Sequence, residues 1–245
     1  MLLHTIKTKV KSKSYNLELP NKKSIVLSGN NALQILYTVE SLLSGDYLGR
    51  YKDFDKKWGF EYQPFTGDSE LVFKEGIITG KNGIASFTGR IPKIHCIRTL
   101  GNGQFRSFVS SQGVGTSPLS VDMTKYQHTL PEIIWKELIF NVNKFLGGEV
   151  VTLEKEELKF DWLTNSEYSV EAQKFIYLIF AECYLTPQGY SRILLMPNVE
   201  FLTGRQQVLL IEALDNITGH SCCLSSGNIN LSDISSTSIV SILNV

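Results

Sequence analysis

Apolar and polar residues alternate through positions 3–11 and again through 14–19, where Tyr15, Leu17 and Leu19 fall on one side. This is the period-two pattern of half-buried strands, and Pro20-Asn21-Lys22-Lys23 supplies the turn after them. Ser24-Ile25-Val26-Leu27-Ser28 is a short run with β-branched residues that ends at Gly29, and it reads as a buried strand. The period then lengthens to that of a helix, with Leu33, Ile35, Leu36, Val39, Leu42 and Leu43 in one stripe closed by Gly45. Residues 46–70 are loop-rich, although Trp58, Phe60, Tyr62 and Phe65 alternate as in a strand. Between 71 and 118, short β-like runs (71–73, 83–88, 95–99 and 104–109) are separated by Gly, Asn and Lys. They predict an antiparallel subdomain with hairpins near Lys81-Asn82-Gly83 and Gly101-Asn102-Gly103.

Pro131 opens a second helical stripe, Ile133, Ile134, Leu138, Ile139, Val142, Phe145 and Leu146, which stops at Gly147-Gly148. Residues 149–163 read as two short strands around the acidic turn Glu154-Lys155-Glu156-Glu157. A helix over 169–185 is broken at Pro187-Gln188-Gly189, and a buried strand at 192–196 follows. An amphipathic helix over 204–217 and strands at 221–224 and 238–243 complete the chain. Helices alternating with strands call for a parallel sheet with crossover connections. No repeat or linker divides the sequence. The expected organisation is one α/β domain over 1–245: a β-rich lobe (1–120), a helix and hairpin insert (121–168) and a parallel C-terminal sheet (169–245).

Composition narrows the function classes. Of 245 residues, 42% are hydrophobic, which excludes a wholly disordered chain. Lys and Arg number 24 and so do Asp and Glu, which argues against a protein that coats DNA but leaves room for a local basic face. Lys7, Lys9, Lys11 and Lys13 alternate; on one strand they would project from one face at about 6–7 Å spacing, and Lys22 and Lys23 follow. Such a row could meet phosphates without reading bases, with Arg90, Lys93, Arg98 and Arg106 extending it, but the favoured reading is an edge strand guarded by its lysines. Cys96, Cys183, Cys222 and Cys223 have no zinc spacing and read as reduced structural thiols. The four histidines are scattered, so no metal is expected. Asp53, Asp55, Glu61 and Asp68 read as solvated loop charges. No apolar run spans a bilayer and no secretory leader is legible, so the expectation is a cytoplasmic protein with no membrane contact. Ser110-Ser111-Gln112-Gly113 does not make a hydrolase elbow.

Three segments carry a resemblance. Val26-Leu27-Ser28-Gly29-Asn30-Asn31-Ala32-Leu33-Gln34 follows the first buried strand, Tyr168-Ser169-Val170-Glu171-Ala172-Gln173 opens a helix, and Ile193-Leu194-Leu195-Met196-Pro197-Asn198-Val199-Glu200 runs along a later strand. In this order they resemble the phosphate loop, signature and acidic strand of ABC-type ATPase heads of the RecF/SMC/OLD kind. The resemblance implies a P-loop NTPase-like fold with a β-rich N-terminal lobe. Each motif departs from the family. Gly29, Asn30, Asn31 and Ala32 form a loop two residues short, with no lysine for the β/γ phosphates and no hydroxyl for magnesium. Ser169, Val170 and Glu171 stand where the signature has glycines. Pro197 and Asn198 replace the acidic pair, leaving Glu200 beyond it, and the switch histidine expected near Ser225 is absent.

The expectation is therefore an ATPase-like subunit that does not hydrolyse ATP and takes no cofactor. Its role would be structural, in a nucleic-acid-processing or anti-phage defence complex, bound to a second copy, to an active ATPase or nuclease subunit, or to double-stranded DNA. The strand-helix-strand from Ile193 to Leu224 is similar to the ATPase-like accessory subunits of CRISPR adaptation, whereas the middle of the chain is not. Two other readings stand beside it: a protein-interaction scaffold that binds no nucleic acid, and an enzyme using an acid or base outside these motifs.

Overall fold

The computed structural model describes residues 3–10, 12–20, 24–44, 68–81, 84–99, 105–111, 114–115, 131–155, 157–186, 188–197, 199, 201–217, 221–226, 229–234 and 240–245. It is a mixed α/β protein whose described residues form a five-stranded antiparallel sheet, a seven-stranded, mostly parallel sheet and a two-stranded antiparallel hairpin. The strands β1 (Leu3–Val10), β2 (Lys13–Glu18), β4 (Ser69–Phe73), β5 (Gly76–Lys81) and β6 (Ile84–Gly89) form the antiparallel sheet, in the order β2-β1-β4-β5-β6. Its inner face is apolar because the sequence alternates: Ile6, Leu71 and Ile78 are buried, and Lys7, Glu70 and Thr79 lie on the other side. A register shift between Leu3 and Thr5 lets Leu3 and Ile6, an odd number of residues apart, both reach the core.

The second sheet has seven strands: β14 (Val240–Asn244), β3 (Ser24–Ser28), β13 (Ser221–Ser226), β12 (Ser191–Pro197), β7 (Ile94–Thr99), β8 (Phe105–Ser111) and β9 (Val114–Gly115), in that spatial order. The first five are parallel, and β8 and β9 continue the sheet antiparallel. Every residue of β7 is buried, as expected of a strand covered on both faces.

Between the two sheets lies α1 (Ala32–Ser44), ten of whose 13 residues are buried. Ile35, Leu36, Val39, Leu42 and Leu43 share one core with Ile6 and Leu71 of the first sheet and with Ile25, Leu27, Ile193 and Leu224 of the second. Each such side chain contributes about 1.5–3 kcal/mol by leaving water. The opposite face of the central sheet (Val26, Ile97, Leu194, Met196, Cys223) packs on α2 (Glu132–Leu146), α3 (Val170–Tyr184) and α4 (Gly204–Asp215). The result is four layers: sheet, helix, sheet, helices.

Capping residues fix the helix ends. Ser169 accepts from the Ala172 N–H, Thr203 and Gln206 form a capping box, and Gly147 takes the left-handed conformation after α2. The hairpin β10 (Val151–Glu154) and β11 (Glu157–Phe160) is fastened to α2 by Asn143, whose amide bonds the backbone of Val150 and Val151.

Two sequence expectations change here. The segment 95–99 does not belong to an antiparallel subdomain: as β7 it runs parallel to β12 in the central sheet, and only its partner β8 is antiparallel. A strand at Gly76–Lys81 was not anticipated, because Gly76 and Gly80 depress strand propensity. Gly76 is required by close approach: a Cβ there would sit 2.7 Å from the Arg90 carbonyl oxygen. The aromatic stretch Trp58 to Phe65 and the acids Asp53, Asp55 and Glu61 lie outside the described residues.

Candidate functional site

In chain order the parallel strands are β3, β7, β12, β13 and β14, and in space β3 lies between β14 and β13. The chain leaves β3 for β7 on one side and crosses from β13 to β14 on the other. The order therefore reverses between β3 and β13, and in open α/β sheets ligands bind beyond the carboxyl ends of the strands at such a point. The elements that reach this crevice are the turn from β3 into α1 and the ends of β12 and β13.

That turn is short. Three residues, Gly29, Asn30 and Asn31, separate Ser28 from Ala32, and the Ala32 N–H closes on the Gly29 carbonyl at 3.2 Å. The Asn31 carbonyl accepts the first helical bond from Ile35, and its side-chain amide donates to the Tyr15 hydroxyl at 2.5 Å. Gly29 has φ +128°, and a Cβ placed on it would meet the Val245 carbonyl oxygen at 1.9 Å. Val245 also donates its N–H to the Ser28 carbonyl at 2.7 Å. Gly29 is thus explained by backbone packing of the last strand against the turn.

The other motif residues have structural employment. Ser169 caps α3, Val170 is half-buried and Glu171 is exposed in the first turn, where its charge suits the helix dipole. Gln173, the last residue of the signature-like stretch, is fully buried and holds the backbone of Leu163 and Tyr168. Pro197 ends β12 opposite Ser226 of β13. Ser225, near the expected switch position, donates to the Met196 carbonyl at 3.2 Å. Asn198 and Glu200 lie outside the described residues, as do Lys11, Lys22 and Lys23.

A single row of four lysines is not formed. Lys7 and Lys9 share the outer face of β1, but the chain reverses after Val10 and Lys13 pairs with Val10 on β2. Lys13 therefore stands on the opposite face, with its Nζ 4.8 Å from the centre of the Tyr15 ring. Lys7 is bonded to Glu70 at 2.8 Å. Arg98 does not extend a basic face either: it is buried in the core, 2.7 Å from Glu40 and stacked over Tyr37.

Sequence reading missed two buried polar groups. One is the Glu40–Arg98 pair joining α1 to β7. Its signal was present, since Glu40 falls in the apolar stripe between Leu36 and Leu43. The other lies at the amino ends of the central strands. His95 on β7 bonds the Thr186 hydroxyl through Nδ1 at 2.9 Å, and its Nε2 is 3.8 Å from the Glu182 carboxylate on α3. Beside it, Arg192 on β12 donates to the carbonyls of Cys183 and Leu214. Burial, reinforced by Arg192, pulls the His95 imidazole down to about 4. At 3.8 Å the carboxylate is beyond hydrogen-bonding distance, so the desolvation prevails. All four thiols are buried, and burial pushes Cys222 up to about 12.

No family model and no curated protein matches the chain. Among solved structures, that of an SMC head bound to the C-winged helix domain of ScpA is similar at a TM-score of 0.42 with 9% sequence identity, over 95% of this chain and 92% of that one. No helix among the described residues is long and apolar enough to cross a membrane.

Proposed function

We propose that this chain is an ATPase-like subunit on a P-loop NTPase-like frame that neither binds nor hydrolyses ATP and acts by holding a partner. One observation carries the reading: the turn at the switch point is three residues long, closed by its own hydrogen bond and packed by the Val245 carbonyl. A phosphate loop needs a longer glycine-rich turn whose N–H groups surround the phosphates, followed by a lysine. Here Asn31 is tied to Tyr15, Ala32 follows it, and Pro197 stands where an acid would support magnesium. The strand order and the helix leaving β3 directly support the frame itself.

Holding a protein is the favoured mode. Of the six exposed large apolar side chains among the described residues, five (Ile133, Phe140, Leu153, Leu209 and Leu231) lie after residue 130. Residues 121–245 hold 15 Asp and Glu against eight Lys and Arg, and such a surface repels a phosphate backbone. Double-stranded DNA is the second reading, supported by the 16 Lys and Arg against nine Asp and Glu in residues 1–120. Steady-state ATP turnover, measured beside DNA binding over a salt series, separates these. The reading expects turnover at background and no DNA binding that falls steeply with salt. Turnover above background would overturn it, and steeply salt-dependent DNA binding would replace the first mode with the second. The wider setting, nucleic-acid processing or anti-phage defence, rests on the family resemblance.

A further inference from the structure

The two edges of the antiparallel sheet differ. At one edge β2 carries Lys13 and Glu18, and charged side chains of this kind discourage strand addition. At the other, β6 reads Ile84-Ala85-Ser86-Phe87-Thr88-Gly89, without a charge or a proline. Among the described residues β6 pairs only with β5, and Ser86, Phe87, Thr88 and Gly89 are all exposed, Phe87 at 42%. Phe87 lies in register with Ile78 and Leu71 on the core-facing side, so it is the uncovered end of an apolar row.

We propose that β6 pairs antiparallel with β6 of a second copy of this chain, about a two-fold axis through Phe87, joining two five-stranded sheets into one. The inference stands apart from the ATPase-like reading. The strand is self-complementary. Facing residues of an antiparallel pair lie on the same side of the sheet, so a two-fold between identical strands must sit on a residue. Centred on Phe87, it opposes Phe87 to Phe87, Ser86 to Thr88 and Ala85 to Gly89. The first is an aromatic pair and the second a hydroxyl pair, both favourable across strands, and the third sets two small residues together at the end of the strand, where Gly89 turns to φ +77°. The row Leu71, Ile78, Phe87 then continues into its own copy, covering the exposed ring. A two-fold sets like against like, so charges at these central positions would repel, and β6 has none. One strand pair buries less than the ~1,200 Å² of a stable interface, so the dimer is weak, micromolar or looser.

Sedimentation equilibrium from micromolar to sub-millimolar concentration tests this. The expected result is a mass rising from 27.5 kDa toward twice that value, with Phe87→Lys weakening association at least tenfold while thermal unfolding stays unchanged. A cysteine pair gives a second readout that does not depend on Phe87→Lys folding. Facing Cα atoms lie about 4.5–5.5 Å apart, within disulfide range. Phe87→Cys is expected to form an intermolecular disulfide under mild oxidation, whereas Ser14→Cys on the opposite edge is not, and the native thiols are buried. A monomer at every concentration would overturn the proposal. So would a dimer indifferent to Phe87→Lys, or Ser14→Cys cross-linking as fast as Phe87→Cys.

Discussion

Replacing Gly29 with alanine separates a packing glycine from a phosphate-binding one. At φ +128° an L side chain is strained by about 1–3 kcal/mol. The added methyl would lie 1.9 Å from the Val245 carbonyl oxygen and 3.0 Å from its carbon, both backbone atoms. The end of β14 must then move, which breaks the Val245 N–H bond to Ser28, worth about 1 kcal/mol. Together these give a loss of about 3 kcal/mol, or a fall of roughly 6–12 °C in Tm for a chain of this size. Urea unfolding followed by circular dichroism reads it, with the slope checked for constancy. If Gly29→Ala unfolds within about 0.5 kcal/mol of the parent, Gly29 does not serve the β14 contact and the reasoning is refuted.

Three further outcomes are expected. His95 is neutral in the folded protein down to about pH 4 but takes its proton near 6.5 when unfolded. The unfolded state therefore binds more protons between those values, and stability is full above about pH 6.5 and falls toward pH 4 by up to about 3 kcal/mol; His95→Gln should flatten that part of the pH–stability curve. Arg98→Ala leaves Glu40 buried without its guanidinium and should cost about 3–5 kcal/mol, whereas the double change Glu40→Leu with Arg98→Met should cost much less in the same unfolding assay. Thr203→Ala removes half of the α4 capping box and should cost about 1 kcal/mol, read as a lower urea midpoint at constant slope.

Local periodicity carried the sequence reading a long way. The α1 stripe, the run into Gly29, the helix opened by Pro131 and the hairpin around Glu154 are set by nearest neighbours, and they lie where the pattern put them. Long-range pairing was harder. The segment 94–99 looks like its β-rich neighbours, and its place beside β12 depends on a partner about 97 residues away. Its unbroken burial, including His95 and Arg98, is the mark of a central parallel strand, but the two charged-type residues hid it. The lysine row failed because alternation says nothing of where a strand turns: the hairpin after Val10 pairs Lys13 with Val10, on the face away from Lys7 and Lys9. At the turn after β3 the residue types, Gly29, Asn30, Asn31 and Ala32 with neither a lysine nor a hydroxyl among them, are plain in the sequence. The contact that occupies Gly29 was not, since it joins residues 29 and 245.

The central claim is that the turn at Gly29 is a closed structural turn rather than a phosphate cradle. Isothermal titration of the full chain with ATP and magnesium addresses it most directly. The account predicts no saturable heat, with or without the metal. Saturable, magnesium-dependent binding would contradict it, and Gly29 to Ala32 would then have to open into a working phosphate loop.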